Sequence, residues 1–220
     1  MENSSSQKVI TYILNEIQQG NLKLDSTLKS ERELASTLQV ARSGVREALS
    51  ALNLVGIIST RPQGKAHLKS LYPSEFMNTL SILFLMKPDI DQQILDFRLC
   101  IEKEALRLTY QRKDFGRLKE MLKLMENCHD EQEAAQLDLN FHLALVESSD
   151  NCLLLQSFHC VLTLLKQAVF ANRIEIAHES GLADLLKQHH DLVDAMEKQN
   201  LEQALCLLHC HLNFERGKKK

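Results

Sequence analysis

Four residues in the second half of the chain have the types and spacing to hold a metal ion. Asp138 and His142, within Asp-Leu-Asn-Phe-His, are four apart and so project from one face of a helix. His189 falls in line with Leu182, Leu186, Val193 and Met196, and His211 with Ala204 and Leu208, so each sits on the inward stripe of its own helix. His190 and His209 fall to the side of those stripes. One carboxylate and three imidazoles meeting in an apolar core make a ligand set for a divalent transition metal, with Zn, Ni, Co, Mn and Fe(II) all suited to it. The same pattern also fits three separate core histidines, each hydrogen-bonded where it stands, and spacing leaves both readings open. Cys206 and Cys210 share a helix face beside His209, which offers a metal pair or, more simply, core thiols.

A second group of residues suits nucleic acid. Arg42 and Arg46 lie on one side of a short helix, and their guanidinium forks match guanine O6 and N7. The opposite face carries Val45, Leu49 and Leu52, and Gly56 stops the helix. Just upstream, Ser30 and Glu33 form a capping box that starts a helix with Leu34, Ala35 and Leu38 turned inward. Downstream, Ile57–Thr60 and Ala66–Lys69 read as two strands around Arg61-Pro62-Gln63-Gly64-Lys65. Helix, turn, helix and β-hairpin together make a winged helix-turn-helix over residues 1–70. In that frame Arg42 and Arg46 contact bases with Ser43 beside them, and Arg32 holds phosphate. Gln63, Gly64 and Lys65 form the wing tip near the minor groove.

The rest of the chain must position the four candidate ligands. Residues 71–75, around Pro73, read as a linker, and 76–220 as an all-α domain. Helix periodicity predicts helices at 75–86, 89–112, 114–127, 131–149, 151–172, 179–199 and 201–215, with no alternating strand pattern. The fold is therefore mainly α: a winged helix followed by a bundle of six or seven helices.

Charge separates the same two parts. The overall net charge is −3, which by itself argues against a nucleic-acid partner. Yet residues 1–70 hold nine Lys/Arg against six Asp/Glu, a net of +3, while 71–220 hold seventeen against twenty-three, a net of −6. A basic head on an acidic body fits a DNA reader whose second domain handles something else. The N-terminus lacks the pattern of a secretory signal, and the apolar run around Leu83–Met86 is far too short to span a bilayer. The expected setting is cytoplasmic, away from membranes, with the six cysteines reduced.

Residues 1–70 resemble the winged helix of the GntR family of transcriptional regulators. The likeness rests on Ser-Glu-Arg-Glu-Leu-Ala at 30–35, Arg42, Val45-Arg46-Glu47-Ala48-Leu49, Gly56-Ile57-Ile58 and the wing Gly64. Ala41 stands where the family usually has a Ser or Thr cap, Gly44 replaces a frequent Pro, and the wing has one glycine instead of several. Residues 76–215 resemble the FCD domain that accompanies this winged helix in one GntR subgroup. Its motifs appear as Leu95-Asp96-Phe97-Arg98 with Glu102-Lys103-Glu104-Ala105, as Asp138-x-x-Phe141-His142-x-x-Leu145 with Ser149-Asp150-Asn151, and as His189-x-x-Leu192-x-x-Ala195-Met196 followed by Ala204 and His211-Leu212.

The resemblance implies a metabolite-responsive regulator, read here as a repressor, that binds a pseudo-palindromic operator as a homodimer. It also implies a divalent metal held by Asp138, His142, His189 and His211, with a small organic acid as effector beside it. Arg98, at the family's arginine position, then either clamps the acid's carboxylate or pairs within the bundle with Glu102 or Asp138. A different class of protein, a metal-dependent hydrolase, would use the same four residues as a catalytic centre. It would need a further base or nucleophile, and no second inward carboxylate or Ser/Cys–His pairing is evident.

Overall fold

The computed structural model describes residues 4–60, 65–69, 84, 87, 90–168 and 182–214. The chain divides into two compact units, Met1–Leu80 and Ser81–Lys220. The expected linker at 71–75, nearly all of the helix expected at 75–86, and the wing residues Gln63 and Gly64 lie outside the described residues.

The first unit opens with a helix the sequence reading does not anticipate, α1 (Ser5–Gln18). Its signals are present in the residues. Ser4 and Gln7 close a capping box, and Val9 and Ile13 fall on its buried stripe. Next come α2 (Glu31–Leu38), started by the Ser30–Glu33 capping box, and α3 (Arg42–Leu54). The turn between them is made by Gln39 in the left-handed region, at φ 52°. Ala41 contributes no side-chain cap to α3, in keeping with its departure from the family pattern. Strands β1 (Ile58–Thr60) and β2 (Ala66–Leu68) pair antiparallel, with Ile58 opposite Leu68 and Thr60 opposite Ala66. Val9, Ile13, Leu28, Leu34, Val45, Ala48, Leu52, Ile58 and Leu68 form one buried core beneath this winged helix-turn-helix.

Gly44 is the point at which α3 meets the start of α1. A Cβ there would stand 2.5 Å from Ser5 Cβ and 3.3 Å from the Ser5 backbone carbon. Gly44→Ala gains about 1 kcal/mol of helix propensity but overpacks the contact at a cost of about 1–3 kcal/mol. The expected result is a net loss of about 1 kcal/mol, read as a lower denaturation midpoint. A more stable Gly44→Ala protein would show that the first turn of α1 yields at no cost.

The second unit consists, among the described residues, of six helices: α4 (Ile90–Arg112), α5 (Gly116–Glu126), α6 (Glu131–Ser148), α7 (Cys152–Ala168), α8 (Leu182–Glu197) and α9 (Leu201–Phe214). Polar side chains mark three of the starts. Asp130 accepts from the Glu133 amide, Asn151 from those of Leu153 and Leu154, and Asn200 from that of Gln203. Two apolar clusters hold the helices. One contains Leu106, Leu118, Phe141, Leu145, Leu192, Met196 and Leu208 on α4, α5, α6, α8 and α9. The other contains Ile94, Ile101, Leu139, Val146, Phe158 and Val161 on α4, α6 and α7. Since α6 contributes to both, its residues between the two clusters are held on either side. Among the described residues no helix is long and apolar enough to cross a membrane.

Candidate functional site

The four residues singled out by spacing come together. Asp138 and His142 stand on α6, His189 on α8 and His211 on α9, and all four are buried. Their ligand atoms lie within 4.8 Å of one another. Asp138 Oδ1 is 3.2 Å from His189 Nε2, 3.6 Å from His211 Nε2 and 3.7 Å from His142 Nε2. The Nε2 atoms of His142 and His211 are 3.0 Å apart. Donors bound at about 2.0–2.1 Å stand about 3.3 Å from each other around a tetrahedral ion and about 2.9 Å apart around an octahedral one. The observed separations therefore match a cation-sized gap.

The far nitrogens of the rings are each engaged by an outer partner. His142 Nδ1 meets Glu102 Oε2 at 2.6 Å, His189 Nδ1 meets the Leu185 carbonyl at 2.7 Å, and His211 Nδ1 meets Gln188 Oε1 at 2.8 Å. All three partners are acceptors, so each Nδ1 donates its proton. Each ring then turns its Nε2 toward Asp138. Three imidazole nitrogens and a carboxylate oxygen around one gap are a donor set that suits a divalent cation. Fixing ligand histidines through their outer nitrogens is how metal sites orient their first ligands. Phe141 closes one wall, edge-to-face on His189 at 4.4 Å between ring centres. A cavity of about 20 Å³ touches Asp138 and is lined by Met125, Cys128, Ala134, Leu185 and Leu186. That is room for one water. The donor set and its outer partners fit a divalent metal.

The expectation of no second inward carboxylate is corrected: Glu102, which spacing ties only to Arg98 one turn away, is fully buried and meets His142, forty residues on. Arg98 donates its Nε–H to Glu102 Oε1 at 2.5 Å, and both side chains are fully buried. The pairing with Glu102 within the bundle, one of the alternatives open for Arg98, is formed. Burial pushes the Glu102 carboxyl up, but the Arg98 guanidinium, then the charge and hydrogen bond of His142, outweigh it and hold it down at about 2. Glu102 thus stays ionised and serves as a fixed acceptor for the His142 proton. Gln188 and the Leu185 carbonyl do the same for their rings, and neither carries a sequence signal of that role.

Cys206 and Cys210 are exposed, so the reading of them as core thiols is corrected. The reason lies in α9, which turns Ala204, Leu208, His211 and Leu212 inward and leaves those two positions outside.

On the first unit, Arg32, Arg42, Ser43, Arg46 and Lys65 are all exposed. Glu31, which sequence reasoning passes over, pairs with both Arg42 and Arg46. Its Oε2 is 2.9 Å from Arg46 Nε and 3.7 Å from Arg42 Nη2. A cavity of about 310 Å³ opens here between the start of α2, α3 and the base of the wing, lined in part by Lys29, Ser30, Glu31, Arg46, Ser50 and Lys65.

Residues 5–67 match the model for bacterial regulatory proteins of the gntR family, and residues 93–214 match the FCD domain. The chain belongs to the GntR family. This GntR-family chain is 30% identical over 202 residues to "HTH-type transcriptional regulator LutR" of Bacillus subtilis (strain 168), covering 89% of the chain and 92% of that protein. It is 29% identical over 208 residues to "Putative L-lactate dehydrogenase operon regulatory protein" of Escherichia coli (strain K12), covering 90% and 80%. Its fold resembles that of a solved structure, Streptococcus agalactiae GntR, with a TM-score of 0.66, 22% identity and coverage of 96% and 99%. The protein is a DNA-binding transcriptional regulator. Its domains and relatives are those of regulators and not of enzymes, so the hydrolase reading of the Asp138 site is set aside.

Proposed function

We propose that this GntR-family regulator senses a small carboxylate at a divalent metal held by Asp138, His142, His189 and His211. The acid changes the protein's affinity for a pseudo-palindromic operator, bound in the cytoplasm by a homodimer. One observation carries the reading: three Nε2 atoms, on rings each held by an outer partner at Nδ1, converge with a carboxylate oxygen inside the FCD domain of a DNA-binding protein. A metal held by these four residues would supply open positions suited to the carboxylate and adjacent hydroxyl of a 2-hydroxy acid. The name of the E. coli relative concerns L-lactate, which makes L-lactate the first acid to try. Arg98 has five N–H donors, of which Glu102 takes Nε–H, and it is the proposed partner for the acid's carboxylate. On the DNA side, Arg42 and Arg46 read guanine edges with Ser43 beside them, Arg32 and Lys65 hold phosphate, and Gln63 and Gly64 belong to the wing tip.

The test is linkage. L-lactate and a panel of small hydroxy, keto and sugar acids are screened by thermal shift against the metal-loaded, full-length protein, and hits are carried into operator titrations. A coupling of about 1–3 kcal/mol is expected, about 5–150-fold in operator affinity, and operator must change acid affinity by the same factor. An acid that stabilises the protein yet leaves operator affinity unchanged would make the metal structural and end the sensor reading.

A further inference from the structure

We propose that Glu31 is a positioning residue of the DNA-reading surface. It aims the two arginines of α3 at base edges and keeps them off the phosphate backbone. The inference rests on the reading of Arg42 and Arg46 as base contacts.

Glu31 occupies the first turn of α2, where the capping box fixes the backbone: the Ser30 amide donates to Glu33 at 2.8 Å and the Glu33 amide to Ser30 Oγ at 3.3 Å. From that anchored position its Oε2 accepts the Arg46 Nε–H at 2.9 Å and lies 3.7 Å from Arg42 Nη2. One carboxylate oxygen therefore gathers two guanidiniums rooted one helical turn apart. Their side chains are 65% and 60% exposed, so without such a tie each long arm would sample many rotamers before meeting DNA. The tie also chooses an edge. With Nε–H given to Glu31, the two Nη groups at the tip of Arg46 are the pair left for guanine O6 and N7.

The charge of Glu31 has a second consequence. Non-specific DNA offers these arginines phosphate oxygens, whereas a correctly placed operator offers neutral base edges. A carboxylate between the arginines repels phosphate and tolerates the base. It weakens the wrong complex more than the right one, which raises specificity without adding a contact. Lys65, which lines the same cavity of about 310 Å³, remains to meet the backbone.

Glu31→Gln in the full-length protein tests this, since it keeps the shape and removes the charge. Binding is measured at several salt concentrations to two duplexes: one selected by the wild-type protein from a randomised pool, and its scrambled counterpart. The variant is expected to bind scrambled DNA about 5–10-fold more tightly, with a salt slope steeper by about 1 as an arginine reaches phosphate. Affinity for the selected duplex should stay within about twofold, so that the specificity ratio falls. If Glu31 only supported α2, both affinities would drop together at unchanged slope, and the proposal would be wrong. Arg46→Ala is measured alongside. If it keeps the selected-over-scrambled ratio, base reading by Arg46 fails and the role of Glu31 fails with it. If it loses the ratio while Glu31→Gln alters neither scrambled affinity nor slope, base reading stands and only the role of Glu31 is overturned.

Discussion

Glu102→Gln is expected to destabilise the helical unit by about 3–5 kcal/mol, because it leaves the fully buried Arg98 charge without its facing carboxylate. The glutamine can still offer an oxygen to one neighbour. It must then turn its NH₂ group toward the other, and both Arg98 Nε–H and His142 Nδ1–H are donors. A double-mutant cycle isolates the charge. In Arg98→Met/Glu102→Gln the buried cation is gone and the amide oxygen is left for His142, so most of the loss should return. The same carboxylate gives a pH dependence. Its folded pKa of about 2 lies below the ordinary 4.5, so its stabilisation is complete above 4.5 and is lost as pH falls toward 2. The chain has no tryptophan, so denaturation is followed by far-ultraviolet circular dichroism. A cost below about 1 kcal/mol for Glu102→Gln, with an acid profile equal to wild type, would show that Arg98 is fully compensated by other contacts.

How much of this was legible in the residues depends on range. The stripe positions of His189 and His211 and the i, i+4 pair Asp138–His142 were readable because helix geometry fixes which face a residue takes, and burial of the apolar face then fixes where that face points. The capping box at Ser30 and Glu33 was readable for the same local reason. The Glu102–His142 contact was not, because it joins α4 to α6 and no periodicity relates two helices to each other. Glu31 was hidden in a motif that reads as a helix start, and only the packing of α2 on α3 brings it to Arg46. Gln188 sits beside a ligand in sequence, yet its hydrogen bond runs to His211 on the next helix. The missed α1 is a different case. Its Ser4–Gln7 box and the Val9–Ile13 stripe were present, but a Ser-rich terminus reads as loop unless both signals are weighed together.

Metal addition to stripped protein should have the largest effect on the helical unit. An ion that binds the folded state alone stabilises it by about 4 kcal/mol at a free concentration about a thousand times its dissociation constant. Purified protein is expected to carry close to one divalent ion per chain, and Zn or Ni added after chelation should restore the melting temperature. The three histidines are not equivalent in this respect. His189→Ala and His211→Ala remove one ligand each and should lose most of the metal. His142→Ala should do the same and also strip Glu102 of a hydrogen-bond donor, so it should lower stability even without metal. Gln188→Ala leaves all four ligands in place and frees only the outer nitrogen of His211, so a loss of about 10–100-fold in metal affinity is expected, with binding still measurable by competition with a chromogenic chelator. That intermediate result separates a site tuned by its outer acceptors from a cluster of core histidines. Protein never exposed to chelator that contains no metal by elemental analysis, and whose melting does not respond to Zn or Ni, would reduce Asp138, His142, His189 and His211 to a hydrogen-bonded core and remove the basis for sensing there.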